Sequence, residues 1–286
     1  MAFKEQVRTL IEQNWPDKLQ SIPVPRGWKR VGHVAILNTP KLTQDLECVL
    51  GQAVLRLLAH VGINTVAVRN APTSEAFRKP NIRIIAGKKE TKTIHREHGV
   101  KFKLDAARIT FSAGNLHERK RMIEVIREGF LIDMFAAVGN LSLPAVIHRM
   151  PSLKAIGIEL NPLAHYYLIQ TIKINGLSDH YQAILGDSRV ETPKNIADYV
   201  IMGCWEADNE HLLAAVNALN QNQGGHIYLH TVGHRNLRSH SKKRIEKTLD
   251  RAASQLKIIK FSERKVKWVS PSHVHRVADM QLGALG

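Results

Sequence analysis

At 286 residues and 44% hydrophobic content, the chain is long enough to bury a sizeable core in one large domain or two modest ones. Its 41 Lys and Arg against 25 Asp and Glu leave +16 with histidines neutral, an excess spread along the chain that favours nucleic acid as partner. Several classes are excluded: there is no apolar run of the roughly 18 residues that span a membrane, no lysine-rich amphipathic helix backed by Trp or Phe, no signal peptide, and only Cys48 and Cys204, too far apart for a metal or disulfide framework.

In chain order, Met1 to Asn14 reads as an amphipathic helix with Phe3, Val7, Leu10 and Ile11 on one face. "GHVAILN" (32–38) predicts a short strand, and Leu46, Val49, Leu50, Ala53, Val54, Leu57 and Leu58 fall at helical spacing. "TVAVRN", "IRIIAG", "TKTIHREHG" and "VKFKLDAARITF" follow as short strands with turns between them. The pattern changes near residue 110, so a small α/β domain over 1–110 and a larger one over 111–286 are expected.

From Phe130 the period alternates between strand (130–135, 155–159, 181–185, 198–202, 225–230) and helix (141–149, 162–175, 209–219, 240–256), ending in strands 258–268 and 274–282. Only "SPSH" separates the last two strands, too little for a parallel crossover, so they form an antiparallel hairpin. A seven-stranded, mostly parallel Rossmann-like sheet closed by such a hairpin resembles the class I S-adenosylmethionine-dependent transferase fold.

Ligands of such sheets sit beyond the carboxyl ends of the strands, where the order reverses. The first strand ends "DMFAAVG", in which Asp133, Phe135 and Gly139 flank small residues that let backbone approach a ligand beside a helix start. The second ends "GIELNP", with Glu159 placed 20 positions after Gly139 to meet ribose hydroxyls; the third ends "LGDS", where Asp187 can accept from an adenine amino group; the fourth ends "IMGCW". Each acid has a plainer reading as a turn cap or a solvated strand end. NAD is the competing ligand, but "AAVGN" lacks the glycines that cradle a pyrophosphate and suits a ligand without phosphate.

The wording of "FSAGNLHERKRM" (111–122), "DMFAAVGNLSLP" (133–144), "GIELNPLA" (157–164), "INGL" (174–177), "GDSR" (186–189) and "IADYVIMG" (196–203) resembles that of the archaeal and eukaryotic wybutosine-synthesising tRNA aminocarboxypropyltransferases. Their close relatives are the tRNA guanine-37 N1-methyltransferases. Upstream, "AFRKP", "AGKKETKTIHREHG" and "LDAARITFS" resemble the family's small domain, and the likeness runs from about Gly32 to "HRVADMQL".

The resemblance implies a cytoplasmic, monomeric enzyme. It would move the 3-amino-3-carboxypropyl group of S-adenosylmethionine to 4-demethylwyosine at position 37 of phenylalanine tRNA, gripping the anticodon arm and neither DNA nor a membrane. Carried over by position, Ser112 and Arg119 would meet the amino-acid part of the cofactor, Glu159 the ribose, and Asp187 with Ser188 the adenine end; Asp133, Phe135 and Gly139 complete the set. Without the resemblance, "HERKRM" reads as a solvated helix face with Met122, Val125 and Ile126 inward.

In the related methyltransferases the fourth strand ends in Asn-x-Pro; here that place holds Met202, Gly203, Cys204 and Trp205, which favours the aminocarboxypropyl branch. Trp205, and with it Asn115, is a candidate for contact with the acceptor base, the tryptophan by stacking. The alternatives are guanine-37 N1-methylation and a non-catalytic RNA-binding protein. No metal is expected: His226, Tyr228 and His230 share a strand face, but no Cys, Asp or Glu nearby completes a set. His273 and His275 read as structural, and neither a catalytic base nor a Cys204 nucleophile is assigned.

Overall fold

The computed structural model describes residues 1–74, 79–236, 240–252 and 254–285. They fall into two units, 1–96 with 101–113, and 97–100 with 114–286. Of "AFRKP", Ala76 to Arg78 lie outside the described residues.

In the first unit the amphipathic start forms α1 (Phe3–Asn14), which buries Val7 and Ile11. Strand β1 (Trp28–Val31), not anticipated from sequence, pairs antiparallel with β2 (Val34–Leu37) through a turn at Gly32, whose φ is +57°. Helix α2 (Gln44–Leu58), capped by Thr43, then crosses to β3 (Thr65–Ser74), so β2 and β3 are parallel, and β4 (Lys79–Gly87) returns antiparallel. The apolar stripe of α2 (Val49, Leu50, Ala53, Val54, Leu58) joins Val7, Ile11, Leu37 and Val66 in one core. Strands β5 (Lys92–Glu97) and β6 (Val100–Asp105) form a separate two-stranded ribbon, turned by His98 and Gly99, both at positive φ.

The second unit opens with α3 (Leu116–Val125). It continues as β7 (Gly129–Asp133), α4 (Leu143–Arg149), β8 (Leu153–Glu159), α5 (Pro162–Ile174), β9 (Tyr181–Leu185), α6 (Ser188–Glu191), β10 (Tyr199–Met202) and α7 (Asn209–Ala218). It ends as β11 (Gly225–His234), α8 (Ser241–Arg251), β12 (Leu256–Trp268) and β13 (His273–Ala284). The sheet order is β12-β13-β11-β10-β7-β8-β9, with β13 antiparallel to both neighbours and the other pairings parallel. This is the expected seven-stranded sheet with a terminal antiparallel hairpin. Strand order reverses between β7 and β10, and ligands of such sheets bind beyond the carboxyl ends of the strands at that point. Ile132, Val200, Met202, Leu229 and Met280 of the sheet pack with Leu212, Val216 and Ile245 of α7 and α8.

Two local expectations change. The "HERKRM" face is not solvated: Glu118 and Arg119 are buried together with Met122. Strand β11 runs on to His234, four residues beyond the alternating stretch that ended at His230.

Candidate functional site

The turn after β7 is held open from both sides. Met134 N donates to Ile201 O of β10 (3.0 Å) and Ala136 N to Ile158 O of β8 (2.9 Å), so the chain spreads into the reversal point. Ala137 and Gly139 both take positive φ, 51° and 86°. At Gly157 of β8 a side chain would strike the Tyr181 hydroxyl at 2.3 Å and Ala136 at 2.9 Å, so only glycine lets the turn lie this close to the sheet.

Glu159 is tied into this turn: its Oε2 accepts from Ala137 N (2.7 Å) and its Oε1 from Asn161 N (2.8 Å), while Asn161 caps α5 through Leu163 N (2.9 Å). Burial pushes its carboxyl above the usual range, against the pull of those backbone donors. Each oxygen keeps a further lone pair for a hydroxyl donor.

Asp133 shapes the site from beneath rather than lining it. It is 1% exposed, and its oxygens accept from Ser142 Oγ (2.7 Å) and Phe135 N (3.3 Å), with Ser142 in turn bonded to the Tyr181 hydroxyl (2.7 Å). Burial raises its pKa to about 6, from 3.8. Between those values the folded state keeps a proton that the unfolded chain has released, so Asp133's contribution to stability falls as pH rises from about 4 to about 6. Asp133→Asn is therefore expected to gain on the parent protein by up to about 3 kcal/mol above pH 6 and by little near pH 4. Urea unfolding of both proteins at each pH checks this; a gap that does not change with pH would remove the carboxyl's charge from the explanation.

On the far side of β8, Asp187 caps α6, accepting from Arg189 N (2.9 Å) and pairing with Arg189 Nη2 (2.5 Å), which holds its carboxyl below the usual range. Ser188 beside it is 4% exposed. Phe135 packs on the His211 ring at 5.2 Å, and His211 Nδ1 lies 2.7 Å from Asp208 Oδ1 in a capping box that starts α7. Arg189, Asp208 and His211 were missed in the sequence; a helix start with Asp and a hydrogen-bonding residue three later was the available signal.

The other assigned residues have partners of their own. Arg119, in α3, is fully buried, with Nε and Nη2 both donating to Glu97. Asn115 accepts from Lys267 Nζ (2.6 Å). Ser112 belongs to the first unit. Trp205 meets the His275 ring at 5.4 Å, and His275 Nε2 is 2.9 Å from His230 Nδ1. Both histidines are buried, and burial lowers both pKa values, His275 to about 4, so the pair is neutral near pH 7 and structural. Among the described residues no group of three or more His, Cys, Asp or Glu is arranged to hold a metal.

Phe135 and Gly139 thus follow the carboxyl end of β7, Glu159 ends β8, and Asp187 with Ser188 follow β9 on the same edge of the sheet. Residues 134–148 carry no Lys or Arg. The set suits a hydroxyl-bearing nucleoside, and Arg189 beside it is already paired with Asp187.

Residues 93–259 match the TRM5/TYW2 methyltransferase domain, and residues 7–91 match the TYW2 N-terminal domain. A Pyrococcus horikoshii protein named tRNA(Phe) (4-demethylwyosine(37)-C(7)) aminocarboxypropyltransferase is 29% identical over 98% of this chain and 98% of its own length. The Methanocaldococcus jannaschii protein of the same name is 31% identical over 88% of this chain and 96% of its own. The crystal structure of P. horikoshii TYW2 in complex with MeSAdo superposes with a TM-score of 0.81 at 26% identity, covering 98% of this chain and 99% of that one. Among the described residues no helix is long and apolar enough to cross a membrane.

Proposed function

From the premise that the chain belongs to the TRM5/TYW2 family, we propose that it transfers the 3-amino-3-carboxypropyl group of S-adenosylmethionine to 4-demethylwyosine at position 37 of phenylalanine tRNA, releasing methylthioadenosine. The observation that carries the aminocarboxypropyl reading over methylation is the end of β10. It runs Met202-Gly203-Cys204-Trp205 where the related methyltransferases have Asn-x-Pro, and the match of residues 7–91 to the TYW2 N-terminal domain agrees.

The residues fit the cofactor's chemistry. Glu159 would accept the ribose hydroxyls with the lone pairs left by Ala137 N and Asn161 N. Asp187 and Ser188 would take the adenine end, and Phe135 with His211 would supply an aromatic wall. Arg119 would bind the amino-acid part through its carboxylate. When bound, the sulfonium activates three carbons, and the methyl is the least hindered of them. The protein's work is therefore positional: the aminocarboxypropyl carbon has to face the acceptor at about 3–3.5 Å. Gly203 keeps the β10 end narrow, since a side chain there would lie 3.2 Å from Leu141. Trp205 is assigned to stack on the tricyclic base and Asn115 to flank it. The +16 charge would hold the anticodon arm by its phosphates, with the protein acting as a cytoplasmic monomer.

Incubation with precursor tRNA and S-adenosylmethionine labelled either on the methyl or on the aminocarboxypropyl group decides the reading. Label from the aminocarboxypropyl group alone is expected in the tRNA. Methyl label instead means a guanine methyltransferase, and no label from either means an RNA-binding protein without this activity.

A further inference from the structure

Strand β11 outruns its neighbour. Met202, the last residue of β10, pairs with Leu229, whereas β11 continues to His234 opposite His273 of β13. Strand β12 accompanies β13 as far as the pair Trp268 and Val274. At about 3.3 Å per residue, positions 230–234 carry a three-stranded ribbon roughly 16 Å past the end of β10. It projects from the sheet edge at which Phe135, Glu159 and Asp187 lie.

The tip of this ribbon has an unusual composition. Trp268 is 51% exposed and Val269 42%, and the Lys265 ammonium sits 3.9 Å from the centre of the Trp268 ring. The register shifts between Lys265 and Lys267, a bulge that brings Lys265 onto the Trp268 face. Arg235, at the end of β11 across β13 from them, is exposed, and its backbone N–H is bonded to Ser272 O (2.8 Å). Arg276 stiffens the tip by donating to the carbonyls of His234 (3.5 Å) and Arg235 (3.3 Å). Neither 225–236 nor 264–276 contains a single Asp or Glu. A half-exposed large aromatic ring, roofed by a lysine and carried on strand ends without Asp or Glu, is matched by a ligand with flat faces and negative charge.

We infer that this ribbon is an RNA-docking element: a base near the modified nucleotide stacks on Trp268 while Lys265 and Arg235 hold adjoining phosphates. The inference rests on the tRNA reading above and adds to it the part of the catalytic unit that receives the loop. Stacking on a protein aromatic is sequence-tolerant, so the ribbon supplies affinity and register, and selection of the acceptor is left to the site at the carboxyl ends of the strands.

The test is the affinity of the full chain for precursor tRNA, by fluorescence anisotropy, for the parent protein, Trp268→Ala, Trp268→Phe and Lys265→Ala. S-adenosylmethionine affinity and melting temperature serve as controls. Trp268→Ala is expected to weaken tRNA binding about 5- to 150-fold with the cofactor affinity unchanged, and Trp268→Phe to recover most of the loss. Lys265→Ala is expected to weaken binding less and to flatten its dependence on salt. Binding by Trp268→Ala within about twofold of the parent overturns the inference. So does equal weakening in the Phe variant, or a loss confined to anionic vesicles. If the parent protein itself fails to bind tRNA, the tRNA reading falls instead, which keeps the two failures distinct.

Discussion

Replacing Glu118 by alanine is expected to cost the catalytic unit about 3–5 kcal/mol, the range for removing one partner of a buried ion pair. Its carboxylate, with the side chain fully buried, accepts from Arg121 Nη2 (2.7 Å) and Nε (3.2 Å), pairs with Arg264, and lies 3.9 Å from His230 Nε2. Arg121 is bonded in turn to Asp279 on β13 through Nη1 (2.7 Å) and Nη2 (3.1 Å), and its guanidinium lies over the Tyr228 ring at 5.2 Å. Two acids thus balance two arginines between α3 and the sheet, and taking away Glu118 leaves a surplus positive charge that water reaches only in part, through Arg264. Urea unfolding reads the effect as a fall in midpoint without a change in slope. Glu118→Gln should lose most of the same stability because it keeps the volume and not the charge. A cost below about 1 kcal/mol for both variants would place the cluster with solvated surface pairs and contradict its burial.

Glu159→Ala should weaken S-adenosylmethionine binding about 100-fold or more. Two hydrogen bonds from ribose hydroxyls to a carboxylate, at roughly 1.5 kcal/mol each, give that figure. Glu159→Gln, which retains one acceptor oxygen, should fall between, at about tenfold. Precursor tRNA affinity should not move in either variant. Calorimetric titration of cofactor and of tRNA, separately, checks the contrast. Equal loss for both ligands would mean that freeing Ala137 N and Asn161 N has disordered the turn, and unchanged cofactor affinity would remove Glu159 from the site.

These two acids differ in how they can be read from sequence. Glu159 stands at the end of an apolar run and before an Asn-Pro helix start, so its place at a strand end is a local property. Glu118 sits in "HERKRM", a window so rich in charge that a solvated helix face is the natural expectation. Its burial depends on Arg264 and, through Arg121, on Asp279, far away in the chain. The same holds for Arg119: its pairing with Glu97 at the end of β5 is a matter of tertiary proximity that no periodicity announces. The extension of β11 was hidden for a different reason, since His230 to His234 is a mixed polar stretch that becomes strand only because β13 is there to pair with it.

By itself, then, the sequence determined the alternation of strands and helices from Phe130 onward, the antiparallel closing hairpin, and the small-residue turn with acids after the second and third strands. Each of these rests on local periodicity, turn length or residue size. Only the tertiary structure decided that Asp133 supports the turn from below, that α3 is locked to the sheet by buried charge, and that a basic ribbon tipped by Trp268 extends past the end of β10. Burial, pairing and reach are set by which distant segments the fold brings together, and a charge or an indole carries no local mark of whether it will meet water, a partner, or nothing.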